Sequence, residues 1–236
     1  MPDSDPECPY CGIIFAKYLD REKPLPRDIP VQTADVEEDR RSLVTLLLGV
    51  ESSTPMPVAI GRGVFLLFLS IWTATLASRA VSVEGTSSFM HVPNLVFHEA
   101  GHILFLPFGR FMTVLGGSLM QVLVPLACAS AFLWQTRDAF GAAIAIWWAG
   151  QSLTDVAPYI NDARDLQLVL LGGKTGAEVE GHDWEYLLNA MGASHHDHAI
   201  ALVVQVLGSL SMIVALVWAA IVVLTQVSLR SRRAAL

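Results

Sequence analysis

The chain has 236 residues, of which 53% are apolar and 16% charged, with a net charge of −7 and a mean hydropathy of +0.49. This balance excludes an ordinary soluble domain and fits a membrane protein. Most of the acids lie in the amino-terminal segment and one long loop, which argues against a nucleic-acid surface.

Residues 1–20 carry Cys8 and Cys11 in a CPYCG knuckle that is similar to one half of a zinc ribbon, since Cys-x-x-Cys before Gly turns two thiolates toward one metal. A structural zinc takes four ligands, and no second CxxC exists in the chain. The missing pair would come from a partner subunit or second copy, from a loop histidine, or from nowhere, in which case the thiols are free. Cys8 and Cys11 are therefore a weak candidate for a separate structural site, and Cys128 reads as a small core residue. Residues 21–60 form a linker and juxtamembrane segment, rich in Pro, Asp, Glu and Arg up to residue 41 and then briefly apolar over 43–50. No basic region leads into an apolar core, so the amino terminus does not resemble a cleavable secretory signal.

Residues 61–236 form the membrane domain. Uncharged or nearly uncharged stretches at 63–78, 92–108, 113–134, 139–160 and 199–229 predict about five helices, hence an all-α polytopic protein in contact with the lipid bilayer. The second stretch is short for a full crossing and has Pro93 and Pro107 near its ends. Arg40, Arg41 and Arg62 precede the first, so the positive-inside tendency places the amino terminus in the cytoplasm, the setting of a bacterial inner-membrane protein. Counting forward puts His102 and Arg110 near the cytoplasmic face and makes the 161–197 loop cytoplasmic. Five crossings, however, leave Arg230, Arg232 and Arg233 outside, so either the second stretch does not cross or the tail is an exception.

That second stretch contains His98, Glu99 and His102 as HExxH. On a helix, positions i and i+4 share a face, so both imidazoles reach one zinc while the glutamate handles water. The plain alternative is a pair of structural histidines. Three ionisable groups in one apolar run cost several kcal/mol at mid-bilayer, which favours a metal that offsets the cost. A catalytic zinc usually takes a third protein ligand. Asp155 is the first choice, being the lone charge between 139 and 160, although a buried acid bonded to Gln151, Thr154 or backbone explains it too. Asp162, seven residues on, is the alternative, though beside Arg164 it reads equally as half of a solvated pair.

In the 161–197 loop, LGGKTG lacks the spacing of a phosphate-binding loop and reads as a turn. His182 and Asp183 could gate the site or supply an outer ligand, yet an amphipathic helix with Trp184, Leu187 and Leu188 on its membrane face accounts for them as well. His195, His196 and His198 read as a solvated cap before the last helix.

From 92 to about 173 the chain resembles the site-2 protease family of intramembrane zinc metalloproteases. The likeness rests on FHEAGH, on the Gly-rich LGGSLMQVLVPLACA with Gln121 where an asparagine is usual, and on Asp155 near Pro158 followed by Asn161 and Asp162. The family's asparagine-proline and aspartate-glycine ending is absent in that form, which leaves Asp155 and Asp162 both open. The resemblance implies a three-helix zinc-protease core, cleavage of a membrane-embedded protein or peptide, and a site opening toward the cytoplasm. In such a mechanism Zn2+ would activate water, Glu99 would carry the proton, and Gln121 would stabilise the oxyanion, with Ser118 behind it. Helix packing is the plain alternative for Gln121. Two rival functions stay open: a noncatalytic membrane subunit or assembly factor that keeps the metal site, and a zinc hydrolase of a lipid or small amide.

Overall fold

In the computed structural model, residues 43–49, 54–78, 81 and 88–234 are described, all within the second of two units that divide the chain after Ser42. The CPYC knuckle with Cys8 and Cys11, and most of the linker, lie outside the described residues. The described residues are mostly helical, with no strand among them and one isolated bridge between Val169 and Thr175.

Seven α-helices follow in order: α1 (Leu43–Leu48), α2 (Met56–Ala77), α3 (His91–Leu104), α4 (Arg110–Ala131), α5 (Ala139–Asn161), α6 (Asp183–Ala190) and α7 (Asp197–Ala234). Three helical segments are long and apolar enough to cross a membrane: Met56–Ala77, Arg110–Thr136 and Ser194–Ser231. Their large apolar side chains point outward. Ile60, Val64, Leu67 and Ile71 on α2 and Val214 and Leu224 on α7 are all exposed, as befits helices whose solvent is lipid rather than water.

α5 is the inner helix. Ala142, Ala143, Ala149, Gly150, Ser152 and Ala157 are buried along it, and these small side chains let α7 approach closely. At the crossing, a Cβ on Gly150 would meet the Gly208 carbonyl at 2.7 Å, so only glycine admits this contact. Packing is antiparallel: Ala139, Phe140 and Ala143 cluster with Ala219 and Val222, whereas Val156 and Ile160 cluster with Ala201. α2 closes on the same pair, with Trp147 Nε1 donating to Thr73 Oγ1 at 2.7 Å inside the core.

α3 has 14 residues, a length of roughly 21 Å at the helical rise. It is therefore shorter than the roughly 30 Å hydrocarbon layer. Pro93 is tolerated in its first turn, where the amide has no intrahelical partner, and Pro107 closes a 3-10 turn (Leu106–Phe108) after it. Gly109, at φ 88°, then reverses the chain into α4, a backbone setting that favours glycine.

Candidate metal centre

α3 lies against α4 because Gly101 faces Gly116 so closely that a side chain on either would strike the other's backbone. Gly117 extends this contact. A Cβ there would fall 2.6 Å from His98 Nε2 and 2.7 Å from His102 Nε2, so the missing side chain leaves the space into which both imidazoles turn. The i, i+4 spacing brings the two rings to a centroid separation of 4.8 Å.

Each ring is oriented by a hydrogen bond at Nδ1. His98 Nδ1 lies 3.1 Å from Gln121 Oε1, and His102 Nδ1 lies 2.9 Å from the carbonyl of Thr113. An amide oxygen and a backbone carbonyl only accept, so both Nδ1 atoms carry the proton. Both Nε2 atoms therefore have their lone pairs available to a ligand on the same side. Gln121 also donates one Nε2 hydrogen to the carbonyl of Ser152 at 3.2 Å. Its buried amide is thus committed to holding His98 against α5.

The partner facing both Nε2 atoms is Asp183. One of its oxygens lies 2.9 Å from His98 Nε2 and 3.3 Å from His102 Nε2. Burial opposes ionisation of this carboxyl, but the facing rings of His102 and His98 outweigh it and hold Asp183 below the ordinary carboxylate range.

The loop delivers Asp183 by a chain of local contacts. His182 caps α6, its Nδ1 accepting from the Glu185 amide at 3.2 Å, while its Nε2 is directed at Asp162 at 3.4 Å. Burial lowers the pKa of His182 despite the nearby carboxylates of Asp162 and Asp183, so the ring is neutral at pH 7. The Asp183 amide donates to the Tyr159 hydroxyl at 2.9 Å. On the other flank Trp184 Nε1 donates to Ser118 at 3.1 Å, and Leu187 and Leu188 are completely buried beneath α6. The amphipathic loop helix expected from Trp184, Leu187 and Leu188 is present, and it carries an acid into the histidine pair.

The two acids singled out by sequence make other direct contacts. Asp155 is buried, with both oxygens 3.2 Å from His91 Nδ1 and one of them 3.2 Å from Asn94 Nδ2. Asn94 in turn donates to Gln151 at 2.9 Å and accepts from Trp148 Nε1 at 2.9 Å, so the acid is tied into a buried polar network. Asp162 accepts the amides of Gln167 and Leu168, each at 2.8 Å, and so caps the turn that leaves α5. Asp155 shares the cavity with His98, Glu99 and His102 but not their direct contacts. This cavity, about 650 Å³, is also lined by Tyr159 and by the loop around Leu170.

His98, Glu99 and His102 form a group able to hold a metal ion, their ligand atoms lying within 4.8 Å of one another. The donor chemistry fits a divalent ion of zinc type: two imidazoles with free Nε2 atoms, a carboxylate facing both, and ring partners on the opposite nitrogens. Asp183, Tyr159 and His91 were not marked by any periodic or compositional signal. Only the GHDWEY cluster pointed toward Asp183. No protein-family model, curated protein or solved structure gives a significant match to the chain.

Proposed function

We propose that this protein is an integral membrane metallopeptidase, in which His98, His102 and Asp183 hold a divalent ion, most naturally zinc, and Glu99 serves as the general base and acid. The observation that carries this reading is the convergence of one Asp183 oxygen on both Nε2 atoms, at 2.9 and 3.3 Å, beside the glutamate of an HExxH helix. When bound there, the metal supplies Lewis acidity that polarises a carbonyl and acidifies water.

The protein's own groups account for the rest. Gln121 and the Thr113 carbonyl fix the tautomers that leave Nε2 free. Glu99, at the lip of the cavity, takes a proton from the attacking water and returns it to the leaving amine. The Tyr159 hydroxyl accepts from the Asp183 amide and has its own proton to donate into the cavity, which supports a part for it in stabilising the developing oxyanion. The cavity of about 650 Å³ beside an HExxH helix in a membrane-type bundle supports polypeptide at the membrane as substrate.

Glu99→Gln provides the test. The account expects the variant to keep the metal content of the wild type while its peptide-cleaving rate falls by roughly 10²–10⁴-fold. Unchanged cleavage would exclude Glu99 as base. Unchanged cellular function of a cleavage-free Glu99→Gln protein would make the metal structural, and cleavage of a lipid or small amide without any polypeptide would move the substrate class.

A further inference from the structure

Helix direction and charge together bear on which side of the membrane the site works. α2 and α7 are antiparallel: Gln205 Nε2 donates to the Leu76 carbonyl near one end at 3.1 Å, and Arg62 Nη1 to Gln226 Oε1 near the other at 2.8 Å. α5 is antiparallel to α7, as its packing partners require, and α4 returns into α5 through the short turn at 132–138. One end of the bundle therefore collects the start of α2, the end of α4, the start of α5 and the end of α7. Arg62, Asp138, Gln226 and Arg230 meet there, with Arg62 3.7 Å from Asp138 and Arg230 donating to the Thr54 carbonyl at 3.3 Å. The opposite end holds α6, with Arg110 stacked 4.6 Å from the Tyr186 ring, and the 161–197 loop.

α3 begins after α2 has reached this opposite end and finishes where α4 starts from it. Its first residue, His91, is tied to Asp155, six residues before the end of α5 and so roughly 9 Å along the helix from that end. α3 thus enters and leaves on one side. The crossings that remain are α2, α4 and α7, the three apolar enough to face lipid, and α5, which is less apolar and buried among them but whose 23 residues make roughly 34 Å, enough to span. An even number returns α7 to the side on which α2 began. The arginines agree: Arg62, Arg137, Arg230, Arg232 and Arg233 belong to that end. Against these five, the described segments at the opposite end carry Arg110, Arg164 and Lys174, and the loop there has seven acids to two bases. The tail that five crossings had left as an exception conforms once α3 is not counted.

We propose that the metal site opens on the side of the membrane away from the cytoplasm, and that its substrates are polypeptide segments presented from that side, at or within the outer half of the bilayer. The sidedness stands on helix direction and charge alone; only the polypeptide nature of the substrate rests on the peptidase reading. Gly117, seven residues into α4, puts the histidines roughly 10 Å along that helix from its start, within reach of segments entering from the outer face.

Single cysteines test the sidedness independently of catalysis. In a chain whose own cysteines are replaced by serine, Lys174→Cys in the exposed loop should react with a membrane-impermeant maleimide in right-side-out spheroplasts. Ser231→Cys near the end of α7 should react only after permeabilisation. The reverse pattern would overturn the orientation, and equal access of both would overturn the count of four crossings. Fusions to the otherwise unaltered chain guard against a misfolded background: a fluorescent protein after Leu236 should fluoresce, and alkaline phosphatase there should be inactive, whereas active phosphatase overturns the proposal. Loss of cleavage in Glu99→Gln leaves these readouts unchanged, so the peptidase reading and the orientation fail separately.

Discussion

At the scale of single residues, the site depends on one absent side chain as much as on those present. Gly117→Ala places a methyl group 2.6 Å from His98 Nε2 and 2.7 Å from His102 Nε2, and both rings must move to admit it. The account predicts that this variant loses most of its bound metal, measured by elemental analysis of the purified protein. Gly63→Ala, where nothing lies within 4 Å, should retain it. His98, Glu99 and His102 were legible in the sequence because helical geometry turns a five-residue spacing into a shared face. Gln121 was legible as a polar residue in an apolar helix but not in its contacts, which join His98 to Ser152. Asp183 was legible only as a possible gate or outer ligand, because a loop residue far along the chain acquires its partners from the fold that returns it.

At the scale of elements, α6 acts as a bracket that holds Asp183 over α3. Its first turn is organised by His182, which caps the helix with one ring nitrogen and faces Asp162 with the other. His182→Ala should cost about 0.5–2 kcal/mol as a lost cap. It should also weaken metal binding by roughly 10–100-fold, as removal of an outer partner of a ligand commonly does. A thermal melt and a competitive metal titration read the two effects separately; full retention of affinity would show that α6 holds Asp183 without its cap. The sequence pattern marked the helix through Trp184, Leu187 and Leu188, and these residues do form its buried face. What apolar spacing could not tell is that α6 rests on α4 through Ser118 and Arg110, because periodicity gives the face of a helix and not its neighbour.

For the molecule as a whole, runs of apolar residues identified the helical segments well, because a helix in lipid must satisfy its backbone internally. The apolar run containing HExxH already read as short for a crossing, and its helix has 14 residues. That α2 ends and α4 starts at one end of the bundle, as the proposed count of four crossings requires, is not encoded in hydrophobicity. The same folding brings the 161–197 loop back across α4, so that α3 and a loop helix together supply the residues of the proposed metal centre. Metal content of the detergent-purified wild type, measured beside Asp183→Ala and Asp155→Ala, tests that closure most directly. The account predicts near-stoichiometric zinc in the wild type and in Asp155→Ala, with its loss in Asp183→Ala. Zinc retained in Asp183→Ala and lost from Asp155→Ala would contradict it.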